Sequence, residues 1–229
     1  MKKGFVAVFA LLALTQVNAQ EKWTSLFDGK TTTGWHSYGE KTAGAAWKID
    51  NGIIRLDPTA IKNGKGGGDL VTDESFNDFH LQLESKISKN GNSGIIFFVQ
   101  ENPEKYSHSF HTGPEMQVID NDGHPDAKNI SHRAGNLYDL IPIEEGLVKP
   151  YGEWNLVDII SKKGVLELKM NGQTVVKTHL GDDAWKELIR RSKFALGETP
   201  DFGKVFSGRI ALQDHSDVVS YRNIRIKRL

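Results

Sequence analysis

The sequence predicts an all-β protein: two antiparallel sheets packed face to face as a jelly-roll sandwich, with one short accessory helix. Three observations carry this. Short segments that alternate apolar and polar residues recur along the chain, turn signals rich in Gly, Asn and Asp separate them, and only one stretch shows helical periodicity. In order, the strand segments are Ile53–Leu56 after the turn Asp50-Asn51-Gly52, His80–Glu84, Ile95–Gln100 after the connection Ser88–Gly94, Glu115–Ile119, Trp154–Ile160, Val165–Met170, Arg209–Gln213 and Val218–Ile226. Asn171-Gly172 joins Val165–Met170 to Gln173–Thr178. Both turn residues tolerate positive φ, so this spacing specifies a tight hairpin. The helix is Asp182–Lys193, with Asp at its start, Trp185, Leu188 and Ile189 at i, i+3 and i+4, and basic residues in its last turn. Half-buried strands this short have to stack as two sheets to cover their apolar faces.

Composition narrows the function. The chain has 229 residues, 29 Lys+Arg against 29 Asp+Glu, and no cysteine. Disulfides, thiolate catalysis, thiolate metal sites and a lipidated-Cys anchor are therefore excluded. Lys2 and Lys3, an apolar run from Phe5 to Leu14 and the small-residue site Val17-Asn18-Ala19 read as a signal peptide over residues 1–19. The run is about ten residues, half of what spans a bilayer. The expectation is a chain exported to the periplasm or the external medium, with no membrane anchor and a single domain over 20–229. Without the two leader lysines the charge is 27 basic against 29 acidic residues, or −2. That balance, with no long basic block, gives nucleic acid no electrostatic footprint.

Several motifs fail on chemistry. Gly64–Gly68 has no following Gly-Lys-Ser/Thr and opens no helix, so it is no phosphate cradle. Gly91-Asn-Ser93-Gly94 lies in a turn between strands rather than before a helix, which excludes a nucleophile elbow. Asp120-Asn-Asp122-Gly123 has its glycine two places early for an EF-hand, and Ser131 stands where a bidentate Glu is required.

The informative stretch is His108–Asp139, which holds four of the eight histidines within 32 residues. On Glu115–Ile119, Met116 and Val118 share one face and belong to the core. Glu115 and Gln117 share the other. Arg209–Gln213 repeats the pattern, with Ile210 and Leu212 inward and Arg209 and Gln213 outward. If the two strands are neighbours, one sheet face carries a carboxylate, two amides and a guanidinium, flanked by Trp35, Tyr138 and Trp154. Amides and carboxylates pair with sugar hydroxyls, and aromatic rings cover sugar C–H faces. Glu115 and Asp120 do not make a glycosidase pair. An odd offset turns them to opposite faces, and their Cα atoms would lie roughly 16 Å apart on a regular strand, against about 5–5.5 Å between carboxyls for retaining chemistry.

Taken together, Trp23-Thr-Ser-Leu-Phe-Asp-Gly-Lys30, Gly34-Trp35, Gly68-Asp-Leu-Val71, Gly91-Asn-Ser-Gly-Ile95, Gly113-Pro-Glu-Met-Gln-Val-Ile-Asp120, Gly123-His-Pro-Asp126, His132-Arg-Ala-Gly135, Tyr138-Asp139, Gly152-Glu-Trp-Asn155, Asn171-Gly172, Leu212-Gln-Asp-His215 and Arg222-Asn-Ile-Arg225 resemble the 3-keto-disaccharide hydrolase domain family. The resemblance runs in order from Trp23 to the C-terminus. It implies a concanavalin A-like lectin/glucanase sandwich acting on glycosides oxidised to a ketone at C3. Such a ketone acidifies the C2 proton, so a base, an acid near the leaving oxygen and a donor set for the enediolate suffice. On this reading Glu115 or His132 is the base, the other is acid or metal ligand, and Tyr138 or His215 assists proton transfer. Gln117, Arg133 and Gln213 hold hydroxyls of a small saccharide, and Trp35 stacks on it. A divalent cation held by Glu115 with His and Asp side chains would serve the enediolate. The competing readings are a non-catalytic carbohydrate-binding module and a glucanase acting on unoxidised glycans.

Overall fold

The computed structural model describes residues 22–197 and 199–229; the leader segment 1–19 lies outside the described residues. The strands are β1 (Thr24–Ser25), β2 (Trp35–Ser37), β3 (Trp47–Asp50), β4 (Ile53–Leu56), β5 (Leu70–Thr72), β6 (Phe79–Ile87), β7 (Asn92–Val99), β8 (Glu115–Ile119), β9 (Asn155–Lys162), β10 (Val165–Met170) and β11 (Gln173–His179), followed by helix α1 (Asp183–Arg191), β12 (Arg209–Leu212) and β13 (Val219–Arg228). One sheet has eight strands in the order β11-β10-β9-β6-β13-β4-β3, with β1 paired to β13. The other has five, in the order β2-β5-β12-β7-β8. The architecture is the two-sheet antiparallel jelly roll that the strand pattern predicts. Among the described residues no helix is long and apolar enough to cross a membrane.

Local sequence explains the elements. β6 alternates buried and half-buried positions along its whole length, one face on the core and one toward solvent. The β10–β11 hairpin turns on Asn171 (φ 51°) and Gly172 (φ 85°), both left-handed as that tight turn requires. The Asp182 carboxylate accepts the Trp185 N–H and opens α1, which buries Trp185. The helix ends two residues sooner than its periodicity suggests, and Asp182 is its cap rather than its first residue. Ser192 caps it, and its side chain then starts a separate 3-10 turn over Lys193–Ala195, which redirects Lys193.

Between the sheets lies one continuous apolar core that includes Phe79, Leu81, Phe97, Met116, Val157, Ile159, Leu212 and Tyr221. A polar tie crosses it: the Tyr221 and Ser93 hydroxyls lie 2.8 Å apart, and Ser93 donates to the Gln213 carbonyl at 2.8 Å. In the five-stranded sheet β7 separates β8 from β12, so the strand carrying Glu115 and the strand leading into Gln213 are not direct neighbours. That intervening strand decides how the site is assembled.

Candidate active site

The outer face of the five-stranded sheet is roofed over rather than solvated. Every residue of β7 and β8 is buried. Residues 135–138 run along the free edge of β8, with the Gly135 N–H on the Gln117 carbonyl at 2.9 Å and the Tyr138 N–H on the Glu115 carbonyl at 2.9 Å. Under this roof a cavity of about 170 Å³ is lined by Asn92, Phe110, Glu115, Gln117, Tyr138, Lys193, Phe194, Gln213 and His215. Gly94, paired with Gln117 across β7 and β8, is what lets these groups meet. A Cβ at Gly94 would collide with the Glu115 carboxyl, so the absent side chain leaves Glu115 free to lie across β7 toward β12.

Glu115 is only 6% exposed. Its carboxyl makes no hydrogen bond to any described residue. Burial pushes it up to about 8, while the Lys193 ammonium favours the charged form and pulls the other way. Lys193 in turn donates to the Tyr138 hydroxyl at 2.8 Å, and that hydroxyl donates to Asp126 at 3.0 Å. Burial first, then the charges of Asp126 and Glu115, hold the Tyr138 phenol well above its usual range. Burial alone would raise Asp126 as well, but its hydrogen bonds from His132 and Tyr138 outweigh this and hold it below the ordinary aspartate value.

Behind Tyr138, His132 faces two carboxylates, Asp126 at 2.7 Å from Nδ1 and Asp139 at 2.9 Å from Nε2. Asp139 also accepts the Lys193 backbone N–H at 2.8 Å. One network therefore fixes the ring of Tyr138 and the start of the segment that presents Lys193. Gln117 turns its own Oε1 onto the Val118 N–H at 3.1 Å, which leaves its NH2 as the donor it can offer.

A buried carboxyl, an ammonium beside it and the amides of Asn92, Gln117 and Gln213 make an enclosed polar site able to accept a proton and to hydrogen-bond hydroxyl groups. The family described as a 3-keto-alpha-glucoside-1,2-lyase-like domain matches residues 22–227. The chain belongs to this family. A 3-keto-disaccharide hydrolase of Bacteroides thetaiotaomicron is 36% identical over 231 residues, covering 90% of this chain and 78% of that protein. A crystal structure from Parabacteroides distasonis, of a protein assigned as a glycosyl hydrolase, superimposes with a TM-score of 0.80 at 31% identity, covering 90% of this chain and 94% of that one. A second from the same organism, at 22% identity and a TM-score of 0.65, shares the fold.

In this member of the family, Glu115, Gln117, Tyr138, Gln213 and His215 line one cavity. Three expected residues do not line it. Trp35 is a core residue, 4% exposed, with its indole N–H on the Leu26 carbonyl at 2.6 Å, so it offers no stacking face to a sugar. Arg133 points to a different cavity, held by the Ala127 carbonyl and an ion pair with Glu145. His132 stands behind Tyr138, its ring centroid 4.4 Å from that of the tyrosine.

Two flanking residues fall elsewhere too. Trp154 lies beneath the Arg222 guanidinium at 4.1 Å and the Lys86 ammonium at 4.7 Å, on strands of the eight-stranded sheet. Arg209 pairs with Glu101 at 3.0 Å and with the Thr72 carbonyl. Asp120 opens its turn, accepting the Asn90 N–H at 2.7 Å and the Asp122 N–H at 3.2 Å.

Sequence reasoning misses Lys193, Asn92, Phe110 and Phe194. Lys193 reads as a helix-end charge until Ser192 breaks the helix, and Asn92 reads only as part of the Gly91–Gly94 turn. Among the described residues, one group brings three metal-type ligand atoms within 4.8 Å of one another. It is His124, His215 and Asp217, and it does not include Glu115.

Proposed function

We propose that this chain cleaves 3-keto glycosides by removing the C2 proton, eliminating the C1 substituent and then adding water. The observation that carries this is Glu115, a buried carboxyl without a hydrogen bond to any described residue, facing a cavity beside an ammonium. A base poised near neutrality suits a proton made acidic by an adjacent ketone far better than an ordinary exposed carboxylate does.

The steps balance as follows. The Glu115 carboxylate takes the proton from C2, and the electron pair moves onto the C3 ketone as an enediolate. Lys193 stabilises that charge. The enediolate collapses, its oxygen pair restoring the C3 ketone and the C2=C3 pair forming C1=C2, and the bond from C1 to the aglycone oxygen breaks with its electrons leaving on that oxygen. The departing oxygen takes a proton delivered through the Tyr138–Lys193 pair. Water then adds to C1, its spare proton restoring the Tyr138–Lys193 pair, while Glu115, its own proton by now exchanged with solvent, protonates C2. The sum is hydrolysis, reached without a second carboxylate.

Gln117 and Gln213 hold ring hydroxyls, and His132 acts as a positioning residue through Asp126 and Asp139. The B. thetaiotaomicron relative named a 3-keto-disaccharide hydrolase supports the substrate class. We place the chain outside the cytoplasm on the strength of its leader. The test is incubation with a 3-keto disaccharide and its unoxidised parent. Turnover of the 3-keto compound alone is expected. Turnover of the parent alone, or saturable binding of either without turnover, removes the proposal.

A further inference from the structure

The elimination just described leaves one cluster at the cavity rim unused. His124 follows the turn after β8, His215 lines the cavity mouth, and Asp217 lies two residues before β13. Their ligand atoms lie within 4.8 Å of one another. Among the described residues none of the three is hydrogen-bonded or ion-paired to another. Two of them are held by the main chain instead. The His124 Nδ1 accepts the Asp126 N–H at 3.1 Å, and one carboxylate oxygen of Asp217 accepts the Asn92 N–H at 3.0 Å. Ser216, between His215 and Asp217, holds a left-handed φ of 64°, and its N–H is fixed on Asp214 at 2.9 Å. The three groups stand at ligand spacing, and Asp217 is oriented by an outer hydrogen bond of the kind that fixes a metal-ligating carboxylate.

A second observation points the same way. Asn92 is 4% exposed, and its Oδ1 is a buried side-chain oxygen with no hydrogen-bond partner among the described residues. It belongs to the residue whose N–H sits on Asp217, and it lines the same cavity as His215. An amide oxygen deprived of both water and a donor is unfavourable unless something bound repays it.

We propose that His124, His215 and Asp217 bind a divalent first-row transition cation, with Asn92 Oδ1 as an additional oxygen donor. Two imidazoles with a carboxylate and an amide oxygen favour such an ion over Mg²⁺ or Ca²⁺, which take oxygen ligands throughout. Binding through His124 Nε2 moves the ring proton to Nδ1 and gives up the Asp126 contact, a loss that the new coordination bond offsets. At the rim of the Glu115 cavity the cation would take the vicinal oxygens of an α-hydroxy ketone. That role, unlike the binding itself, rests on the elimination chemistry proposed above.

Titrating the full chain with CoCl2, followed by calorimetry and by the visible absorption of bound Co²⁺, tests the site without substrate. One Co²⁺ per chain with micromolar affinity is expected. His124→Ala, His215→Ala and Asp217→Asn should each weaken binding tenfold or more, with unchanged circular dichroism. Asn92→Asp, which adds a charge at the proposed donor, should tighten binding severalfold, and Asn92→Ala should weaken it. Absence of stoichiometric binding, or binding indifferent to the three ligand substitutions, overturns the site and leaves the elimination untouched. A Co²⁺-loaded protein that binds as described yet leaves 3-keto glycosides intact removes the elimination and leaves the site standing.

Discussion

Replacing Glu115 by Gln removes the charge while keeping the shape, and its effect on stability has a definite sign. In the unfolded chain this carboxyl titrates near 4.5, and burial in the folded protein pushes it up to about 8. A raised carboxyl means the folded state prefers the protonated form. The stability Glu115 contributes is thus fully present below pH 4.5 and is lost as pH rises through 8. At about 1.4 kcal/mol per tenfold change in proton affinity, the whole loss is at most about 5 kcal/mol, and about 3 kcal/mol of it falls between pH 5 and pH 8. Glutamine does not titrate, so E115Q should become more stable than its parent over that interval by about 3 kcal/mol, as urea midpoints at pH 5, 6, 7 and 8 would show. The same substitution should lower kcat on a 3-keto glycoside by about 10³-fold or more, since it removes the base. Parallel stability curves for the two proteins would refute the reasoning, because they would mean that the Glu115 carboxyl is hydrated and ordinary.

Three further outcomes follow from the same geometry. Lys193→Met deletes the charge that favours ionised Glu115, so the rising limb of kcat/KM against pH should move upward from about 8 while kcat falls by about 10²-fold; an unmoved limb would show that the two groups do not interact. Gly94→Ala places a methyl against the Glu115 carboxyl and should abolish most activity with the fold intact by circular dichroism, whereas wild-type rates would mean that Glu115 does not cross β7. Trp35→Phe removes the N–H donated to Leu26 and should lower stability by about 1–2 kcal/mol with KM unchanged; a raised KM at unchanged stability would put the indole back in the binding site.

The fold was legible where alternation is long. β6 shows its period over nine residues, and the β10–β11 turn is written in two residues whose conformation few others tolerate. The two- and three-residue strands β1, β2 and β5 carry too little periodicity to register, and β3, with a half-buried Ile49 between exposed Lys48 and Asp50, shows little more. That is why Trp35, inside one of them, looked available for stacking when it is core.

At the site, alternation correctly put Glu115 and Gln117 on the face opposite Met116 and Val118. It could not show that residues 135–138, Phe110 and the segment after α1 cover that face. The cover is what turns a surface carboxylate into a group ionising near 8. Lys193 was hidden for a related reason. Its position depends on Ser192 ending the helix and on Asp139 catching its backbone N–H at 2.8 Å, contacts distant in sequence from the strand they serve.

The most direct measurement runs the reaction on a 3-keto disaccharide in D2O and reads the isotope at C2 of the released 3-keto sugar by mass spectrometry or NMR at early times, before free ketose exchanges. Proton removal by Glu115, exchange of that proton with solvent as the aglycone leaves and water enters, and return to C2 predict one deuterium at C2 per turnover, and a primary isotope effect when the substrate carries deuterium there. Product released with its original C2 hydrogen, at a rate indifferent to that label, would mean that the C1–O bond breaks by direct displacement and that Glu115 is not the base.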